Sequence, residues 1–228
     1  MFGRSKVATI VAEFLGVGIL TLTVYSMALR TSFPFFAATA AGMTLGIMVL
    51  AIGKVSGAHL NPAITLGLWS NRKISTPQSI VYIAAQLLGA AGALLLAQYF
   101  IGSDLTELAT SKFDAKVLVA EGVGALVFGY GVAAAVYQKF EGLQAAATIG
   151  TSLFLGILVA SLGSNGVLNP AVAVGINSFN VNYALGPIVG VFVGMQLYKL
   201  FMVTPEKAAV KAASTSAAKK KPATKKKK

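Results

Sequence analysis

Six stretches of mainly apolar residues recur along the chain, separated by short polar segments. They cover residues 7–29, 36–55, 79–101, 117–138, 143–163 and 183–203. About 20 apolar residues in helical form cross the hydrocarbon core of a bilayer. The pattern therefore predicts an all-α membrane protein with six transmembrane helices. The first stretch is too long for a signal peptide and lacks a cleavage site, so we expect it in the mature chain.

Two shorter apolar segments, residues 60–69 and 168–176, do not fit this count. Each would be roughly 15 Å long as a helix, which is half the hydrocarbon thickness. Both open with an Asn-Pro-Ala triplet, formed by Asn61, Pro62 and Ala63 and by Asn169, Pro170 and Ala171. Asn favours the N-cap of a helix and Pro its first turn. The triplets therefore predict two re-entrant half-helices that enter from opposite sides and meet near the midplane.

An internal repeat relates the two halves of the chain. Glu13 and Glu121 each open an apolar span and lie 108 residues apart, and the same offset separates Asn61 from Asn169. A copy with three spans reverses the orientation of the next copy. We therefore predict an inverted repeat, with repeat 1 at about 5–102 and repeat 2 at about 113–203. Inverted repeats with broken helices and a midplane site are typical of transport proteins.

Composition excludes most enzyme classes. Of the 228 residues, 56% are hydrophobic and only 11% charged, whereas soluble domains carry about 25% charged residues. The chain has no Cys, one His and seven acidic residues. This inventory argues against a thiolate or histidine metal site and against carboxylate catalysis. We expect no enzyme activity, no metal and no cofactor.

The net charge of +12 is concentrated at the C-terminus. Residues 204–228 hold nine lysines and one glutamate without apolar periodicity, which predicts a disordered tail. The tail either fixes topology or also contacts anionic lipid headgroups; no nucleic acid is expected. The N-terminal segment 1–6, the Arg72–Lys73 pair and Lys139 share its side of the membrane, so we predict that both termini are cytoplasmic. Which membrane holds the protein stays open.

The motifs resemble those of the aquaporin (major intrinsic protein) family over residues 5–203. The matching pieces are AEFLG at 12–16, SGAHLNPAITLG at 56–67, AAQLLGA at 84–90, AEGVGALVF at 120–128, GVLNPAVAVG at 166–175 and GPIVGVFVG at 186–194. The resemblance implies a right-handed bundle of six helices with two half-helices, a channel domain at 7–203 and a homotetramer with one pore per subunit.

The chemistry of a water pore gives these residues roles. Asn61 and Asn169 would present amide donors where two positive helix ends converge, although each could instead be only a cap. By resemblance, backbone carbonyls of Gly57, Ala58 and His59 and of Asn165, Gly166 and Val167 line the path. The His59 side chain is predicted to be structural, with a pH sensor as the alternative. Glu13 and Glu121 are predicted to hold the loops rather than relay protons, and Gln86 to act similarly.

The chain departs from the family at its outer constriction. Family spacing places that constriction at Ala41, Ile157, Gly166 and Val172, where no side chain offers a charge or a donor. The usual arginine is replaced by Val172, so we expect a wider, apolar pore. The sequence predicts a passive channel for water or small neutral solutes. Two alternatives remain: a poorly conducting structural or adhesive protein, and a channel selective for a solute such as glycerol or urea.

Overall fold

The computed structural model describes residues 4–104 and 112–203, and these ranges contain helices and no strand. The lysine tail at 204–228 and the first three residues lie outside the described part. The eight helices are α1 (Arg4–Ala28), α2 (Pro34–Ser56), α3 (Pro62–Ser70), α4 (Thr76–Ile101), α5 (Ala115–Gln138), α6 (Gly142–Ala160), α7 (Pro170–Gly175) and α8 (Val181–Met202).

Six of these helices, all except α3 and α7, are long and apolar enough to cross a membrane. The predicted fold class is confirmed, and the helix ends differ from the predicted ends by a few residues. The third span is capped by Ser75, whose Oγ accepts from Gln78 N at 3.4 Å. The fifth span stops at Ala160 because the chain turns there, with Ser164 N donating to Ala160 O at 2.9 Å.

Apolar side chains cover the outer surface of the bundle as well as its interior. Leu95, Phe100 and Leu143 are each at least two-thirds exposed, and many more large apolar residues are partly exposed on the long helices. Such a surface is stable against lipid tails and not against water. The helices thus present a lipid-facing exterior around a packed core.

Helix contacts in the first half are mirrored in the second half. Helix α1 packs against α2 and α4, as α5 packs against α6 and α8. The short helix α3 contacts α8, while the short helix α7 contacts α4. Two contacts join equivalent helices, α2 with α6 and α3 with α7. This exchange of partners is the pattern that an inverted repeat would produce.

The contact between α2 and α6 is a crossing of two backbones. A Cβ atom built on Gly42 would lie 2.7 Å from Gly150 O, and one built on Gly150 would lie 2.5 Å from Gly42 O. No side chain larger than hydrogen fits at either position. Small residues at helix crossings are the usual basis of close packing in membranes, and here they bring the two halves together.

Candidate functional site at the junction of the half-helices

The two short helices are capped by the asparagines of the Asn-Pro-Ala triplets. Asn61 Oδ1 accepts from Ala63 N at 2.8 Å. Asn169 Oδ1 accepts from Ala171 N at 3.0 Å and from Val172 N at 3.4 Å. Both caps have extended backbones, and each is followed by a proline in the first turn. Because the oxygen is engaged at the cap, the amide nitrogen of each side chain points away from its own helix.

Each asparagine amide then reaches across to the opposite loop. Asn61 Nδ2 donates to Leu168 O at 2.9 Å, and Asn169 Nδ2 donates to Leu60 O at 2.8 Å. An amide nitrogen carries two protons, and one of them is used in each of these bonds. The second proton has no acceptor among the described residues. Capping and pore lining are therefore compatible roles for one side chain.

The loops before the asparagines adopt matching strained backbones. Ala58 and Leu60 have φ of 48°, and Gly166 and Leu168, 108 positions later, have φ of 64° and 53°. Residues other than glycine seldom adopt this left-handed region. Alternating left-handed residues turn successive N–H groups to one side, which forms a concave site for an anion. In each loop that anion is a glutamate.

Glu13 binds the first loop through both carboxylate oxygens. Oε1 accepts from Ser56 Oγ at 2.6 Å and His59 N at 3.0 Å, and Oε2 accepts from Leu60 N at 2.8 Å. Gln86 Nε2 donates to the same Oε2 at 2.7 Å. Gln86 thus contacts the carboxylate and not the loop backbone, which differs from the role predicted for it.

Glu121 binds the second loop in the same way. Its Oε1 accepts from Ser164 Oγ at 2.7 Å and Val167 N at 2.9 Å, and its Oε2 accepts from Leu168 N at 2.7 Å. The donors in the two loops correspond at an offset of 108 residues. Because Glu121 is fully buried and every partner is a donor, the geometry fits a carboxylate that holds a loop. Among the described residues, no titratable side chain forms a hydrogen bond with either carboxylate.

A cavity of about 410 Å³ leads from the α1–α2 loop to the asparagines. Thr31, Ser32 and Phe33 lie at its outer end, and His59, Asn61 and Asn169 at its inner end. No charged side chain of the described residues lines it. The start of each half-helix adds a partial positive charge at the inner end. The cavity is therefore a neutral passage that ends in a concentration of hydrogen-bond donors.

All four residues predicted for the outer constriction line this cavity. They are Ala41, Ile157, Gly166 and Val172, and each is buried. None has a polar side-chain atom. Of the predicted carbonyl residues, His59, Asn165 and Val167 also line the cavity, whereas Gly57 and Ala58 do not.

Several residues that line the cavity are not predicted by the sequence. The walls also contain Leu20, Val24, Leu45, Phe128, Leu153 and Ile176. These side chains are ordinary apolar residues within long apolar spans, where every helix face is hydrophobic. Periodicity therefore gives no signal for which face meets a cavity.

Comparisons with known proteins agree with this geometry. Residues 3–198 match the family described as major intrinsic protein. The chain is 32% identical over 210 residues to aquaporin-5 of Mus musculus, covering 84% of this chain and 76% of that protein. It is 30% identical over 185 residues to aquaporin Z of Photorhabdus laumondii, covering 70% and 79%. The X-ray structure of the aquaglyceroporin from Plasmodium falciparum superposes with a TM-score of 0.72 at 21% identity, covering 90% and 99%.

Proposed function

We propose that this chain passively conducts water and small neutral solutes. It belongs to the major intrinsic protein family, whose members are channels and not enzymes. The observation that carries the proposal is the junction of the two short helices. There, two buried amide groups each keep one free proton at the inner end of a neutral cavity.

The junction of the two short helices supplies hydrogen bonds that replace those a polar molecule loses when it leaves bulk water. Removing hydrogen bonds to water without replacement costs several kcal/mol. A permeating oxygen can accept from the free amide protons of Asn61 and Asn169. The positive ends of α3 and α7 converge at the same point, so they oppose cations and excess protons. Passage is thus favourable for a neutral solute with an acceptor oxygen.

The outer constriction extends the range of solutes beyond water. Ala41 and Gly166 are small, and Val172 occupies the position where the resemblance to the family implies an arginine. The constriction gains width and loses a fixed positive charge, so the junction becomes the main barrier to ions. Loop carbonyls remain to accept hydrogen bonds from hydroxyl or amide groups of a solute.

Stopped-flow light scattering on purified proteoliposomes tests this proposal. Water, glycerol and urea gradients are compared with protein-free vesicles of the same lipid. We expect faster relaxation for all three. Rapid water flux with glycerol and urea excluded would contradict the wide constriction. No flux of any kind would favour the structural or adhesive alternative.

We also propose that the protein is a homotetramer with both termini in the cytoplasm. Membership of the major intrinsic protein family supports the tetramer, and the positive charge of residues 72, 73 and 139 supports the orientation. Native mass spectrometry from nanodiscs would give four times the chain mass of 23.5 kDa. Nanodiscs prepared with and without anionic lipid would test whether the lysine tail binds lipid headgroups.

A further inference from the structure

A second cavity, of about 340 Å³, opens between α1 and α4 at the end of the molecule where both helices begin. Its lining comes from the first two turns of each helix and from the cap of α4, and consists of Ser5, Lys6, Thr9, Ile10, Ser75, Pro77, Gln78, Val81 and Tyr82. It shares no lining residue with the cavity that leads to the asparagines. The second cavity is therefore a separate site, and conduction gives it no role.

This cavity lies at the level of the lipid headgroups. Ser5–Ala28 and Thr76–Ile101 are two of the six helices that can cross a membrane, and the cavity is at the start of both. The Trp69 indole donates to Thr76 Oγ1 at 3.0 Å, next to the capping residue of α4, and Trp69 is 44% exposed. Tryptophan concentrates at membrane–water interfaces. The molecules that surround this cavity in a membrane are therefore phospholipids.

The lining changes from polar to apolar with depth. Lys6 and Ser75 belong to the outer part, whereas Ile10 and Val81 lie at least one turn further along α1 and α4. Beside the cavity, the apolar side chain of Ile80 is 62% exposed on the outer surface of α4. A phospholipid has the same order, because its phosphate lies outside its acyl chains. The cavity is thus matched to a phospholipid that enters it from the side.

The charge of the cavity selects among headgroups. Of the described residues that line it, Lys6 is the one with a charged side chain, and no described residue forms an ion pair with it. The lysine ammonium is carried on a flexible four-carbon stem, so it can meet a phosphate at the outer end of the cavity. The hydroxyl groups of Ser5 and Ser75 can donate to phosphate oxygens. A zwitterionic headgroup would bring its own cation close to Lys6, and an anionic headgroup would not.

The inner end of the cavity is held in place by bonds within the protein. Tyr82 is 1% exposed, and its Oη accepts from Gln78 Nε2 at 3.1 Å and donates to Ser56 O at 2.9 Å. These bonds fix two of the lining side chains before any lipid arrives. A site that is formed in advance costs less ordering on binding.

We infer that the cleft between α1 and α4 binds an anionic phospholipid, with Lys6 at its phosphate and with Ile10 and Val81 against the start of an acyl chain. This inference needs only that the chain is embedded in a membrane, so it goes beyond the proposed function and does not depend on any flux. It also differs from attraction of lipid by the lysine tail, because it places one lipid per chain at a defined position.

Native mass spectrometry can count the lipids that the assembled protein retains. The full-length protein is reconstituted in nanodiscs of equal parts phosphatidylglycerol and phosphatidylcholine, and its retained lipids are identified after release. We expect phosphatidylglycerol to be retained in preference to phosphatidylcholine, at one molecule per chain. Equal retention of the two lipids by the unmodified protein would overturn the inference.

Substitution of Lys6 tests the contact with the phosphate. Lys6→Gln should reduce the retention of phosphatidylglycerol about fivefold, the usual effect of one basic residue close to an anionic lipid surface. Lys199→Gln is the matched control, since it removes an exposed lysine from the last turn of α8, outside the cavity, and retention should not change. An equal loss in both variants would indicate diffuse attraction to the surface and would overturn the inference.

Filling the cavity tests the position of the lipid while the charge stays constant. Val81→Phe enlarges a lining side chain and should displace phosphatidylglycerol although Lys6 is intact. Ile80→Phe, on the neighbouring exposed residue outside the cavity, should have no effect. Because native mass spectrometry reports the intact assembly together with its lipids, a variant that fails to assemble is recognised by its mass. Full retention by assembled Val81→Phe would overturn the inference.

A soluble phosphate ester distinguishes a lipid site from a site for free phosphate. Glycerol 3-phosphate carries the headgroup chemistry without acyl chains, so an excess of it should leave phosphatidylglycerol bound. Displacement of the lipid by glycerol 3-phosphate would show that the acyl chain contributes nothing, and would overturn the assignment of a phospholipid.

Discussion

Left-handed backbone conformations at Ala58, Leu60 and Leu168 are tolerated because two carboxylates organise the loops. Such a conformation costs an L residue about 1–2 kcal/mol. A hydrogen bond to a charged group contributes about 1.5–3 kcal/mol, and each glutamate makes at least three. Part of this gain offsets the cost of burying the carboxylate. The remainder is enough to hold a loop in a shape that it would not adopt alone.

Removing either glutamate should therefore damage folding more than selectivity. In Glu13→Ala or Glu121→Ala, buried N–H groups lose their acceptor at a cost of about 1–3 kcal/mol each. We expect a lower thermal transition in detergent and less assembled protein by size-exclusion chromatography. Glu121→Gln, which keeps the shape and one acceptor oxygen, should be affected less. Normal assembly combined with an altered pH dependence of flux would instead support the proton-relay alternative.

Val172 is the residue at which restored charge should change selectivity most. Val172→Arg places a long guanidinium with five donors into the outer constriction. Glycerol and urea flux should fall more than water flux, because the added side chain narrows the passage while offering donors to water. Residual proton conductance should fall as well. Stopped-flow light scattering measures the water and solute flux, and a pH-sensitive dye inside the vesicles measures the proton conductance. Val172→Leu is the control, because it enlarges the side chain without adding a charge. Equal loss of water and solute flux in both variants would indicate simple blockage.

The sequence predicts the place of a residue in the site when a motif or a repeat in the chain marks that residue. The asparagines and glutamates follow from triplets and an offset visible in the sequence. Leu20 and Phe128 could not be found, because their place in the cavity wall depends on helix rotation within an apolar bundle. The contacts of Gln86 depend on a partner 73 positions away, which no local pattern encodes.

At the scale of elements, α3 and α7 are stable only in their setting. They contain nine and six residues, and isolated helices below about 12 residues are marginal in water. Their starts could be predicted because Asn-Pro combines a cap with a first-turn residue. The ends of the long helices were harder to predict, because hydropathy changes gradually where a span meets the interface. Ser75 is the cap of α4 because its backbone is still extended, and the helix begins at the next residue, Thr76.

The α2–α6 crossing gives a prediction at this scale. Gly150→Ala would place a methyl group 2.5 Å from Gly42 O, and relief requires the two helices to separate. We expect a loss of about 1–3 kcal/mol, the usual cost of overpacking, seen as a lower thermal transition. Gly53→Ala is the control, since the nearest atom to its added methyl is a valine methyl at 3.8 Å. Equal stability of both variants would show that the crossing is not tightly constrained.

For the whole molecule, an even number of spans places both termini on one side of the membrane. A fluorescent reporter that matures only in the cytoplasm should be bright when fused after residue 228. The same reporter inserted within residues 105–111, between the two repeats, should be dark. Equal brightness at both sites, measured at equal expression, would contradict the predicted topology and the inversion of the repeat.

The reciprocal bonds of the asparagines also constrain the order in which the protein is made. Asn61 needs an acceptor from Leu168, 107 positions later in the chain. During synthesis, the first half is complete well before that acceptor emerges. The bond from Asn61 to Leu168 therefore cannot form until the second half arrives, so the junction of α3 and α7 closes late. Ribosome-bound chains that end before residue 165 should leave the segment 57–63 open to chemical labelling, and longer chains should protect it.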